Sequence, residues 1–152
     1  MGKRNLNESE CFDLLLSERV GRLSTCRNNE PYVIPVNFVF YQNKIYIHTG
    51  FKGRKIENIE SNPSICFELD KEIRIIPSEK ACKFNVEFIS VIVFGTAGFI
   101  GDQHQKLEVL RALTLKYSSS TGKEPLLTQA DTDIVSVIEI SPERISGRMS
   151  GV

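Results

Sequence analysis

Histidine is scarce in this chain and metal-type cysteine pairs are absent, which removes the side-chain pattern that most often holds transition metals. The chain has two histidines and four cysteines in 152 residues. Cys11, Cys26, Cys66 and Cys82 form no C-x-x-C pair, so reduced, mostly buried thiols are expected and a zinc site is not. Net charge is also lacking, because nineteen basic and nineteen acidic residues cancel. That balance argues against a nucleic-acid partner held by bulk charge, and any anion site must be local. Long apolar runs are missing as well. The longest, "SVIVFGTAGFIG", is too short and too glycine-broken to span a bilayer. "MGKRNLNESE" has no apolar stretch of the signal-peptide kind. Its Met-Gly start departs from the myristoylation pattern, since Leu6 stands where Ser or Thr is needed. A cytoplasmic protein with no membrane partner is the expectation. G-x-S-x-G elbows, P-loops and dinucleotide fingerprints are absent, as is the paired carboxylate spacing of a glycosidase, which removes those classes.

What is present is ordinary globular composition, 41% hydrophobic and 25% charged, in a length that suits one domain over residues 1–152. Asn7 and Glu10 form a capping-box pattern ahead of Cys11, Phe12, Leu15 and Leu16, predicting a helix to about Arg19. "VGRLSTC" is a predicted strand and "RNNEP" a turn. "YVIPVNFVFY" alternates and is rich in β-branched and aromatic residues, which predicts one continuous strand. "QNK" then turns the chain into the strand "IYIHT". A helix follows and stops at "SNP". "ICFELD" is a strand, residues 71–86 are expected to be irregular, and "EFISVIVFGTAGFI" is a long strand bent at Gly95 or Gly98. "DQHQKLEVLRALTLKYS" predicts a helix with Leu107, Leu110, Leu113 and Leu115 inward. A flexible "SSSTGKEP" loop, a last strand "DIVSVIEIS" and a polar end complete the chain. Five or six mainly antiparallel strands with few helices predict a mainly β fold, a small closed or split barrel.

The charges of "GFKGRKIENIE" run against the helix dipole. Lys52, Arg54 and Lys55 come at the start, and Glu57 and Glu60 follow. A helix N-terminus carries about half a positive charge, so each added cation costs about 0.3–1 kcal/mol unless something neutralises it. A bound phosphate would do so, using free backbone N–H groups and an arginine fork. A solvated basic turn fits the same spacing. His48 shares a strand face with Tyr46 just before this point, and a histidine there suits proton donation or a structural role. Asn37 interrupts an apolar strand on the face of Val33, Pro35 and Val39. Pro35 removes a ladder donor, placing the strand at an edge or beside a ligand. Ser90 opens the long apolar strand, and His104 is expected on the surface.

In order, "VGRLSTCRNNEPYVIPVNFVFYQNKIYIHTGFKGRKIENIESNPSICFELD" resembles the flavin-binding core of the pyridoxamine 5'-phosphate oxidase-like proteins. "IYIHT", "GRKIENI", "SNPSICFELD", "ACKFNVEFISVIVFGTAGFI" and "ERISGRMSG" are most similar to the nitroimidazole-resistance (Nim) proteins within them. The likeness runs from about Glu8 to Gly151. It implies a split β-barrel homodimer with FMN at the interface. Arg54 and Lys55 match the basic pair that holds the FMN phosphate, and Gly53 stands where the oxidases have serine. His48 and Thr49 match the strand end beside the flavin ring and ribityl chain. Pro35, Val36 and Asn37 match the strand whose backbone faces the isoalloxazine. Ser90 matches a polar position that reaches the flavin from the partner subunit. His48 also matches the Nim histidine near the flavin, which makes it the candidate for substrate contact. Ile89 replaces an oxidase arginine, and "SGRMSGV" carries neither the Trp nor the Arg-x-His segment of the oxidases. The implied activity is therefore an FMN-dependent reductase of small electron-poor molecules such as nitroaromatics, reduced by an external donor. The alternatives are a pyridoxamine 5'-phosphate oxidase, or a flavin- or haem-binding storage or sensing module without turnover.

Overall fold

In the computed structural model, which describes residues 2–151, Phe38 is the residue on which the architecture turns. The strand expected over 32–41 is broken there, giving β3 (Glu30–Asn37) and β4 (Val39–Tyr41). The other strands are β1 (Lys3–Asn5), β2 (Val20–Arg27), β5 (Lys44–Thr49), β6 (Ser64–Ile76), β7 (Asn85–Phe99) and β8 (Ser136–Ser150). All pair antiparallel in the order β3-β2-β6-β7-β8-β5-β4, with β1 added against β8. Consecutive strands β3 and β4 thus lie at opposite ends of the sheet with one residue between them. Only a sheet rolled almost into a tube satisfies that, so the fold is a split β-barrel. Phe38 is fully buried at the seam and meets Phe67 edge-on, ring centroids 4.9 Å apart, a pair worth about 0.5–1.5 kcal/mol beyond its buried area.

Among the described residues the expected strand count rises to eight through this break and the short β1. Residues 71–86 are more ordered than expected. β6 continues to Ile76, a 3₁₀ turn covers Ala81–Lys83, and β7 starts at Asn85. The extension is possible because β7 supplies a ladder partner as far as the Ile76–Asn85 pair. The last strand likewise runs on to Ser150, paired with Phe88. The predicted bend falls at Phe94/Gly95, where a Cβ on Gly95 would lie 2.1 Å from the Ser141 carbonyl oxygen. Asn28, Asn29, Gln42 and Asn43 have positive φ, which gives the two short hairpins their twist.

Helix α1 (Glu8–Ser17) opens on the expected capping box. The Asn7 side chain accepts from the Glu10 N–H at 2.9 Å, and Glu10 accepts from the Asn7 N–H at 2.8 Å. Cys11, Leu14 and Leu15 are buried against the barrel. Helix α2 (Arg54–Ser61) lies against β2, where the buried Asn58 amide donates to Thr25 Oγ1 at 2.9 Å. Helix α3 (Gln103–Ser118), capped by Asp102, lies outside the barrel. Of the four leucines expected inward, Leu110 and Leu113 are buried, Leu107 is half-buried and Leu115 is 62% exposed. Val109 and Lys106 complete the buried stripe instead, because a run of Leu at 107, 110, 113 and 115 spreads over more than one helix face. Met1 of the Met-Gly start lies outside the described residues. No helix among the described residues is long and apolar enough to cross a membrane.

Strand β5 is buried on both faces. Ile45 and Ile47 enter the barrel core, while Tyr46 joins Val39, Val109, Leu110, Leu113 and Val137 beneath α3. His48 is on the Tyr46 face and is exposed.

Candidate functional site

The candidate residues fall in three places on the chain. Asn37, ending β3, and His48, near the end of β5, line one large cavity beside α3. Pro35 is exposed on the edge strand β3, as its missing N–H anticipates, and is paired only with Arg22. Val36 turns into the core and Thr49 is buried opposite Ser136, so neither side chain is open to a ligand.

The second place is the start of α2. Gly53 is its N-cap with φ 129° and ψ 166°, a conformation open to glycine, and it provides no side-chain cap. Nothing lies within 4 Å of where its Cβ would be. The leading N–H groups of α2 therefore sit at an open surface beside Arg54 and Lys55. Arg54 is not free. It pairs with Glu30 at 2.7 Å and stacks over the Tyr32 ring at 4.7 Å, both on the β2–β3 hairpin. Arg27 of the same hairpin reaches Glu57 at 3.3 Å. Among the described residues Lys55 makes no ion pair. The reversed charge order is thus partly met by Glu30, with Lys52, Lys55 and the helix end left over. Arg54, Glu30, Arg27 and Asn58 line a cleft of about 370 Å³.

Ser90 occupies the third place, paired with Arg148 on β8 and Asp70 on β6. It shares a depression with Lys3, Phe88, Ile92 and Arg148. His48 pairs with Val137 of the same strand β8. Eleven residues of β8 separate the two pairing points, roughly 35 Å at about 3.3 Å per residue. Within one chain the two residues line different cavities. Phe88, Ser90, Ile92 and Phe94 alternate with the buried Val91 and Val93, so Ser90 lies in a row of exposed apolar side chains.

Three contributors escaped the sequence reading. Glu30 and Tyr32 belong to a turn and an edge strand, and their approach to Arg54 needs the α2–β2 packing. Tyr117 lines the Asn37–His48 cavity from α3, and only its place opposite Phe38 gives it meaning. Among the described residues no group of three His, Cys, Asp or Glu side chains could hold a metal ion. His104 is exposed at the start of α3.

Residues 7–149 match the family model described as pyridoxamine 5'-phosphate oxidase. A candidate 5-nitroimidazole antibiotic resistance protein from Bacteroides thetaiotaomicron superposes with a TM-score of 0.82 at 20% identity, covering 98% of this chain and 89% of that one. An FAD-binding protein from Mesorhizobium loti superposes with a TM-score of 0.74 at 25% identity, covering 99% of both chains. An uncharacterised Rhizobium meliloti protein is 27% identical over 66 residues, so the match spans 43% of that curated relative and 43% of this chain.

Proposed function

The chain belongs to the pyridoxamine 5'-phosphate oxidase family, and on that premise we propose that it is an FMN-binding flavoprotein that reduces small electron-poor acceptors such as nitroaromatics. The observation that carries the proposal is the start of α2. A side-chain-uncapped helix end, a guanidinium and an unpaired ammonium form a donor set suited to a terminal phosphate. Arg54 must share or release Glu30 to take part, which lowers the net gain. With charge-assisted hydrogen bonds worth about 1.5–3 kcal/mol each, loss of both cations should weaken binding about 10²-fold or more.

Bound flavin supplies the electron-transfer chemistry. The backbone of Pro35–Asn37, on a sheet edge, presents polar groups to a flat ring. His48, exposed at the end of β5, is placed to orient an acceptor or give it a proton at a ring nitrogen. Ser90 lines a different depression from Asn37 and His48, and the reading includes a homodimer in which the second copy brings its own Ser90 to the site. The row Phe88, Ile92 and Phe94 supports that arrangement, being the kind of apolar surface an interface covers.

The test is the absorbance spectrum of the purified protein, mass spectrometry of the released cofactor, and the same for Arg54→Ala/Lys55→Ala. A yellow wild type releasing FMN, with cofactor lost in the double variant, supports the reading. Release of FAD would correct the cofactor. A wild type that is colourless and takes up neither flavin would overturn the proposal. The Mesorhizobium relative, described only as FAD-binding, favours a second reading, a flavin-holding module without turnover. Turnover of a nitro compound by the reduced protein separates the two.

A further inference from the structure

The cavity holding Asn37 and His48 has a volume of about 1000 Å³. Its remaining walls are mostly apolar. Leu110 and Leu113 come from α3, and Leu126, Leu127 and Ile134 from the segment after it. Leu126 is 89% exposed and Ile134 is 70% exposed, the two most exposed large hydrophobic side chains among the described residues. Both line this one cavity. A loop that keeps two branched aliphatic side chains in water at the mouth of a cavity is shaped to meet something apolar there.

The charges at the rim narrow the ligand. Lys123, Glu124 and Asp131 are the charged lining residues. Asp131 is already engaged, accepting from the Thr128 N–H at 2.6 Å and from its hydroxyl at 2.9 Å. Lys123 and Glu124 are sequence neighbours of opposite sign. The three charges sum to −1, since the neutral donors of Thr128 leave the Asp131 carboxylate ionised, so the rim disfavours anions, and no cation partner is built into the apolar wall. Polar groups for hydrogen bonding are found where Asn37 and His48 sit, at the end nearest the strand assigned to the flavin ring. Cavities of about 300–1,000 Å³ hold drug-sized ligands, and this one is at the top of that range, so room for more than a five-membered ring remains where a flavin ring takes the part beside Asn37.

We propose that this cavity is the acceptor pocket and that it selects neutral, electron-poor aromatic molecules of two or more fused rings. The polar substituent lies at Asn37 and His48, and the rings lie against Leu126 and Ile134, which set specificity. The inference rests on the flavin reading for the identity of the ligand as an acceptor. The binding claim itself is independent of it.

The experiment measures binding by equilibrium dialysis to the full chain, with and without added FMN. The probes are 1-nitronaphthalene, neutral with two rings, and 2-methyl-5-nitroimidazole, with one. Wild type should hold the naphthalene at least about tenfold more tightly, and Leu126→Asp/Ile134→Asp should lose that difference while keeping its FMN affinity. Because both side chains are exposed, the variant should fold, and circular dichroism checks it. Leu126→Ser/Ile134→Thr repeats the test without added charge. Equal affinity for the two probes in wild type overturns the inference, as does a difference that survives both variants. Absence of FMN binding with the naphthalene preference intact would sink the flavin reading and leave the pocket's ligand class standing.

Discussion

The hydroxyl oxygen of Tyr117 accepts a hydrogen bond from the backbone N–H of Phe38 at 2.9 Å. It also lies 2.5 Å from the Arg19 carbonyl oxygen and 3.0 Å from that of Phe38, and its single proton is shared between them. Phe38 is the residue at which the chain leaves one end of the sheet and enters the other. One side chain from α3 therefore supplies the pairing that the broken ladder cannot.

Tyr117→Phe should be costly for that reason. It keeps the ring and strands a buried N–H, a loss of about 1–3 kcal/mol. For a chain of this size that lowers the melting midpoint by about 2–4 °C per kcal/mol. Thermal unfolding followed by circular dichroism measures it. An unchanged midpoint would mean that water serves Phe38 in place of the hydroxyl.

Gly53→Ala isolates the backbone at the start of α2. No atom lies near the new methyl, so the effect comes from φ 129° alone. A non-glycine residue there should cost about 1–3 kcal/mol, or turn the helix start away from its present direction. Urea unfolding reads the first outcome. Weaker FMN uptake at unchanged stability reads the second. A variant equal to wild type in both would show that the conformation matters to neither.

Phe88→Glu should split the proposed homodimer. Phe88, beside Ser90 on the outward face of β7, would carry a charge into the covered row. Light scattering should show the mass halve, and FMN should be lost with it, since each site needs the other chain's Ser90. Monomeric protein that still holds FMN at full strength would place the cofactor within one chain.

Lys116 supplies a pH dependence. Its ammonium lies 3.9 Å from the Phe38 ring centroid and donates to the Leu15 carbonyl at 3.3 Å. Burial lowers its pKa from the ordinary 10.5 to about 8, with Glu18 opposing and Arg19 assisting. The folded value lies below the unfolded one, so the unfolded chain binds more protons between them. Stability from this group therefore rises as pH increases from about 8 to about 10.5, and is flat below. Wild type should gain stability relative to Lys116→Met across that window. Parallel curves for the two proteins would rule the effect out.

Local chemistry was legible wherever it acts over a few residues. The Asn7–Glu10 box, the paired asparagine and Gln-Asn turns, the halt of α2 before Pro63 and the bend at Gly95 all follow from side chains acting on their own backbone. Helix α3 was legible as an element, and Leu110 and Leu113 on its buried face with it, but Lys106 and Val109 were not. Lys106 enters because its ammonium donates to the carbonyls of Thr132 and Val135 at 2.9 and 3.1 Å, partners that exist only once residues 129–135 fold beneath it. Strand ends were misjudged on β6 and β8 because strand length depends on having a partner, and the partner is remote in sequence.

By itself the sequence determined the strand-rich character, the caps and turns, and a cluster of cations at a helix start whose sign is wrong for the dipole. These depend on short-range sterics, hydrogen bonding and charge. Only the tertiary structure decided that the strand over 32–41 breaks at Phe38 and closes the barrel, and that Glu30 and Tyr32 hold Arg54. It alone showed that Asn37 and His48 share a cavity while Ser90, on β7, lines another depression. The reason is that each of these relationships is a distance between residues tens of positions apart. Such distances are set by how the whole sheet rolls to bury its apolar faces, which no local pattern records.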